Sequence, residues 1–251
     1  MNMFSENVKT GKRGRPQGQT SQKTASREHL YTTALRLIAK RGYEATTLRD
    51  IAKEADVSPG LLYRYFPSKQ AVVLTLYDEL SAEYARRAAE MPAGKWRDRF
   101  IFALNTSLDV LKPHQLALRA LTSVLVGNPE EGIFAASTAF SRVRVQQVFE
   151  SAITEASDAP KQPLAEALGR LLYVVHLAVL LWWLLDLSPN QRATSALVLL
   201  TKQLLPSAAL AVRVPPVRRF CSENRGRIID YLGTHEHLAV DIDLCVDDGV
   251  G

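Results

Sequence analysis

Four residues on one short stretch, Gly60, Leu61, Tyr63 and Tyr65, carry the chemistry of recognition rather than of bond breaking. Tyrosine hydroxyls donate to phosphate oxygens, and an exposed leucine can lie against a thymine methyl. Two tyrosines and a leucine are poor choices for a face that meets only water. A compact helical hairpin that never meets DNA is the competing reading, and the adjoining basic arm speaks against it. A second set, Phe100, Leu104, Leu108, Phe134 and Tyr173, has the size and polarity to line an apolar pocket, although ordinary packing explains each equally well. His176, set among aliphatics, is either a ligand contact or a core histidine satisfied by a neighbour. Reactive constellations are missing from the sequence, which has no nucleophile elbow, no glycine-rich phosphate loop and no paired metal motif. Cys221, Cys245, His235 and His237 match no standard zinc spacing. The chain is therefore expected not to be an enzyme and to need neither metal nor cofactor.

The elements that must hold the first set are short helices. Leu30, Ala34, Leu37 and Ile38 follow the helical period from about Ser26, and Gly42 ends that helix. Thr47 is a good N-cap with Asp50 three residues on, and Leu48, Ile51, Ala52 and Ala55 make one apolar stripe. Ser58 then caps a helix with Pro59 at its first position, and Pro67-Ser68 stops it. Leu62 and Phe66, four residues apart, are expected to pack on the Leu48/Ile51/Ala52 stripe, leaving Gly60, Leu61, Tyr63 and Tyr65 facing outward. Two short helices joined by a tight turn form the geometry that places a helix in the major groove. Beyond Ser68 the sequence predicts only helices, over about 69–91, 95–112, 114–127, 131–157, 163–186 and 189–209, with one more over 215–233.

Charge agrees with this division. Residues 1–69 hold 13 Lys/Arg against 6 Asp/Glu, a net of +7, whereas the whole chain of 251 residues carries only +5. Positive charge is thus gathered where a polyanion would be met. Residues 1–24 have almost no large apolar side chains and read as a flexible basic arm. The acidic stretch after His235 reads as a loose tail. With 47% hydrophobic and 23% charged residues, the rest has the composition of a folded protein with a sizeable core. Two cysteines and no signal-like N-terminus suggest a cytoplasmic location. The run Leu171–Leu185 is apolar but, at 15 residues between Arg170 and Asp186, short of the roughly 20 that span a bilayer; a buried helix, with no membrane partner, is expected.

The segment TTLRDIAKEADVSPGLLYRYFPSKQAVV, Thr46 to Val73, resembles the DNA-binding head of the TetR family of bacterial transcriptional regulators, as does ALRLIAKRGYEATT before it. The likeness covers about residues 26–80. It implies that Arg49 reaches a base or phosphate, that Pro59, Gly60 and Leu61 face the bases, and that Tyr63 and Tyr65 hold the backbone. It further implies that Lys69 clamps a phosphate and that Thr47 caps its helix while touching another. With three nonpolar groove-facing residues, direct hydrogen-bond readout is thin and shape or methyl contacts carry more weight. The KRGRP segment, Lys12 to Pro16, looks like the core of an AT-hook, in which Arg13 and Arg15 enter a narrow A·T minor groove; a plain solubilising tail is its alternative.

The expected architecture is all-α. The flexible arm (1–24) precedes a three-helix helix-turn-helix head (25–70). A larger helical body for effector binding and dimerisation (71–210) and a C-terminal extension of unassigned role (211–251) follow. The helices at 163–186 and 189–209, with Leu197, Leu200 and Leu204, look like the pair that would meet a second copy in a four-helix interface. The function expected is a homodimeric repressor released from a palindromic operator in double-stranded DNA by a small apolar effector. A ligand-insensitive or architectural DNA-binding protein, whose body only dimerises, is the alternative.

Overall fold

The computed structural model describes residues 17–162 and 164–211, with side chains over 26–162 and 164–205. In chain order the helices are α1 (Gln17–Arg41), α2 (Leu48–Glu54), α3 (Pro59–Tyr65), α4 (Lys69–Ala88), α5 (Trp96–Leu111), α6 (Gln115–Ala120), α7 (Thr122–Gly127), α8 (Ala139–Thr154), α9 (Leu164–Leu185) and α10 (Arg192–Ala211). No strand occurs among the described residues. Arg13, Arg15 and the helix expected over 215–233 lie outside them.

The head folds as its caps direct. The Thr47 hydroxyl accepts from the Asp50 amide at 3.1 Å and the Asp50 carboxylate accepts from the Thr47 amide at 3.0 Å, a reciprocal capping box for α2. Ser58 and Ser68 cap α3 and α4 through their hydroxyls. Gly42 closes α1 in the left-handed region at φ 90°, where its amide still reaches the Ile38 carbonyl at 2.8 Å. Between α2 and α3 the chain turns on Asp56, also left-handed at φ 53°. The expected stripe is the core: Leu30, Ala34, Leu37, Ile38, Ile51, Ala52, Leu62 and Phe66 are all buried.

Several boundaries differ from expectation. α1 begins at Gln17, not near Ser26, so residues 17–24, expected in the flexible arm, are helical. Gln, Lys and Ala are good helix formers, and a nucleated helix extends at little cost even without an apolar stripe. The helix expected over 131–157 starts only at Ala139. The Asn128 side chain accepts from the amides of Glu130 and Glu131 at 2.8 and 3.0 Å, which draws the chain into a turn. A Cβ on Gly132 would sit 2.4 Å from the Asn128 carbonyl oxygen, so this bend needs glycine. The expected 114–127 helix is broken at Leu121 into α6 and α7.

The body wraps around α8, which packs on α4, α5 and α9, while α10 lies against α9 and α5. Gly169 of α9 lets the two central helices approach closely; its missing Cβ would stand 3.1 Å from the Cα of Glu150. Arg99 of α5, itself buried, donates to the carbonyls of Pro92, Ser151 and Ala152 and to the Glu155 carboxylate at 2.9 Å, tying α5 to the C-terminal end of α8. A cation there also meets the negative end of the helix dipole.

Candidate nucleic-acid interface and effector cavity

The short α3 is held from behind and open in front. Leu62 and Phe66 anchor it in the core, while Pro59, Gly60, Tyr63 and Arg64 are exposed, Tyr63 at 49%. Nothing lies within 4 Å of where a Gly60 Cβ would stand, so this face is free to approach a large partner. Arg49 and Thr47 of the supporting helix are exposed beside it, and together with Tyr63, Ser68 and Lys69 they border a shallow groove. Leu61 and Tyr65 are half-buried, and Tyr65 packs against the core, so the outward face is narrower than the sequence implied.

Two of the expected phosphate ligands are already engaged. Thr47 donates its hydroxyl to the Asp50 carboxylate at 2.6 Å, and this bond is the main cause holding that carboxyl below its ordinary pKa. Capping is thus its first role. The Lys69 ammonium donates to the Tyr43 carbonyl at 2.8 Å and stands 4.2 Å above the Tyr43 ring. A cation so placed keeps two further N–H donors for a phosphate.

Tyr43, not singled out by sequence, sits on the seam between head and body. Its hydroxyl donates to the Glu131 carboxylate at 2.6 Å, and burial, then this bond, push its pKa up. Gln70 donates to the Glu130 carbonyl at 3.3 Å, and α1 packs on α6. α4 is the covalent link between head and body. The bend at 128–138 is a second, non-covalent link. No periodicity foretells it, because it depends on a turn meeting a turn across 88 positions.

Between α4, α5, α8 and α9 lies a cavity of about 780 Å³, counted with its open mouth. Half of its lining residues are Leu, Val and Ile, and its polar members come from every side: Tyr77, Ser81 and Tyr84 of α4, Ser107 of α5, Thr138 of the bend, Ser141 and Arg142 of α8, Tyr173 and His176 of α9. Of the six residues expected to line a pocket, Tyr173 and His176 do so. Phe100 and Leu104 are fully buried in the core, where Phe100 meets the Phe149 ring at 5.8 Å. Leu108 is a half-buried packing residue beside that core. Phe134 is 47% exposed on the 128–138 bend and is not one of the residues lining the cavity. Apolar character alone did not separate wall from core. His176 is bound through Nε2 to the Ser107 hydroxyl at 2.8 Å, and burial pulls its pKa down to about 4. The Tyr173 hydroxyl is pushed up to about 12 by burial.

α9 carries a second apolar face. Trp183 is buried, its indole donating to Gln191 at 3.0 Å, while its neighbour Trp182 is 51% exposed. Leu171, Val174, Leu181, Trp182 and Leu185 form an exposed stripe at helical spacing, continued on α10 by Leu199, Leu200 and Leu204. α9 is therefore not the fully buried helix its composition suggested. At 22 residues it is long and apolar enough to cross a membrane, yet its other face is built into the body.

Residues 30–76 match the family model described as bacterial regulatory proteins, tetR family. The HTH-type transcriptional repressor KstR of Mycolicibacterium smegmatis is 31% identical over 166 residues, covering 63% of this chain and 76% of that protein. The HTH-type transcriptional regulator YuxN of Bacillus subtilis is 50% identical over 47 residues, covering 19% of this chain and 16% of that protein, so this likeness is confined to the head. Among solved structures, the transcriptional regulator FadR of Bacillus subtilis in complex with stearoyl-CoA superposes with a TM-score of 0.58 over 71% of this chain and 96% of that one, at 18% identity.

Proposed function

The chain belongs to the TetR family of bacterial regulatory proteins, and from that premise we propose that it is a homodimeric repressor released from a palindromic operator by a small, largely apolar effector. The observation that carries the DNA reading is the face of α3: Pro59, Gly60 and Tyr63 stand exposed beside Arg49, on a helix otherwise locked by Leu62 and Phe66. Pro59, Gly60 and Leu61 meet base edges, Tyr63 and Arg49 hold phosphates, and Thr47 and Lys69 support the same backbone from behind. Arg13 and Arg15 extend the contact into the flanking minor groove.

Dimerisation rests on the exposed stripe of α9 and α10. Contiguous large apolar side chains at one face mark an interface, and two such helices from each copy make a four-helix seam. Its two-fold axis would set two α3 helices on one face of DNA, about 34–36 Å apart or a multiple of that.

Effector response rests on the cavity. FadR, solved in complex with stearoyl-CoA, supports the reading that a body of this fold accepts a small molecule. A ligand seated here touches α4 directly and reaches the 128–138 bend through Ile133 and Thr138, which line the same wall. Both connections between body and head are then addressed at once, and a shift of either alters the separation of the two α3 helices. The alternative, a body that only dimerises, is favoured by no particular observation.

Selection of random duplexes by the full chain tests the DNA reading. The expected product is an inverted repeat with half-sites one turn, or a multiple of it, apart, lost with Tyr63→Ala. Recovery of no sequence, or of the same sequences by the variant, would refute it.

A further inference from the structure

The cavity between α4, α5, α8 and α9 has one guanidinium in its wall, that of Arg142, and neither Asp nor Glu among the described residues that line it. A positive charge set in a largely apolar wall calls for a counter-charge. Arg144, two residues further along α8, has one in Asp78 at 2.9 Å. Half-buried Arg142 has only backbone oxygens: its Nη1 donates to the carbonyls of Ile133 at 3.0 Å and Ala135 at 3.2 Å. Nε and Nη2, on the other edge of the same guanidinium, meet no partner among the described residues.

A second polar group of the wall is in the same position. Tyr173 of α9 is 3% exposed, and its hydroxyl also has no partner among the described residues. The hydroxyls of Tyr77 and Tyr84 and Nδ1 of His176 are sealed among protein atoms, but that of Tyr173 is not, and the surface it keeps opens on the cavity. The two groups stand near enough to act on each other. Burial raises the Tyr173 pKa to about 12, and the Arg142 charge works against that rise.

Anchoring Nη1 on the bend fixes the guanidinium plane. The edge left over, Nε with Nη2, is the fork that a planar carboxylate fills with two parallel hydrogen bonds, and the Tyr173 hydroxyl adds a donor from the neighbouring helix. A ketone or an alcohol accepts the same protons but leaves the positive charge uncompensated. An amine sets like charge against like. A phosphate monoester brings nearly two negative charges to a single cation. Away from this corner the wall is aliphatic. Leu177, Leu180 and Leu184 follow Tyr173 along one face of α9, the last at a rise of roughly 16 Å, and Leu111 and Leu118 line the same space from α5 and α6.

We propose that the effector is an amphipathic carboxylate, its head taken by the Nε–Nη2 edge of Arg142 and the Tyr173 hydroxyl and its aliphatic tail laid along Leu177, Leu180 and Leu184. This rests on the reading of the cavity as the effector site. Charge determines the class: the wall supplies one cation without a counter-ion, and the ligand supplies the anion.

The test uses three probes with one tail and different heads, decanoate, 1-decanol and decylamine, each titrated at neutral pH into the full chain by calorimetry. Decanoate is expected to bind about tenfold tighter than decanol, and decylamine more weakly than either. Arg142→Gln keeps an amide for the bend carbonyls and discards the charge. It should abolish the advantage of decanoate over decanol and leave decanol binding as it was. Tyr173→Phe should narrow the same advantage by about tenfold, the worth of a hydrogen bond to a charged group, and gives a second reading should the first variant fold poorly. Decanol or decylamine binding as tightly as decanoate, or an advantage that survives both substitutions, would overturn the proposal while leaving the cavity as a binding site. Binding of none of the three would remove both.

Discussion

Leu62 and Tyr63 are neighbours with opposite duties, and that contrast is the sharpest residue-scale test of the head. Leu62 is fully buried and Tyr63 half in solvent. Leu62→Ala should cost about 2–5 kcal/mol of stability in a denaturant melt, as an unfilled core cavity does. Tyr63→Phe should leave the melt unchanged and weaken DNA binding several-fold, because it removes only a hydroxyl. This alternation was legible in the sequence, since the helical period and the caps fix which face α3 turns inward. His176 was legible only as two alternatives, and the structure supports the neighbour-satisfied one at one ring nitrogen, bound to Ser107, while the other ring nitrogen is buried without a partner. Its burial makes a pH prediction. Unfolded, the imidazole takes a proton below its ordinary value of about 6.5; folded, it does so only near 4. Stability from the buried neutral ring is therefore complete above pH 6.5 and lost as pH falls toward 4, by on the order of 3 kcal/mol. Tyr84, Tyr173 and Ser107 surround it and stay neutral in that range. Wild type minus His176→Phe, compared in urea melts across pH 7 to 4, should show that slope; parallel curves would refute it.

At the scale of elements, α9 and the 128–138 bend were the least readable parts of the chain. α9 satisfies two apolar faces at once, one into the body and one outward, and its nearly continuous hydrophobic run hides which residue serves which. Leu181→Glu together with Leu200→Glu places charge on the outward face alone. Light scattering should then report a monomer with an unaltered far-UV spectrum, since burying unpaired carboxylates at a seam is prohibitive. A dimer that survives both changes would move the interface elsewhere. The bend escaped prediction because the helical period runs on through Ala135 and Ala136, while the decision to turn lies with Asn128 and Gly132. Its worth is local: it carries Glu131 to Tyr43. Glu131→Gln keeps the size and discards the charge that strengthens this bond. The variant should bind DNA but respond less to a cavity ligand, seen as a smaller ratio of affinities with and without it. An unchanged ratio would leave α4 as the sole route.

For the whole molecule, DNA and effector must act on each other symmetrically. A ligand that weakens operator binding tenfold is itself bound tenfold more weakly by the operator complex, a coupling of about 1.4 kcal/mol. That demand is modest for a cavity that touches both links to the head. Everything downstream depends on whether α3 truly meets DNA. The direct measurement is the affinity of the selected duplex for wild type and for Arg49→Ala/Tyr63→Ala, by fluorescence anisotropy over a range of salt. At least a tenfold loss is expected for the double variant, with an unchanged thermal melt. The salt slope should become shallower by nearly two, about 0.9 for each phosphate contact removed. Equal affinity and equal slope for the two proteins would contradict the account, because the exposed face of α3 would then have no part in holding DNA.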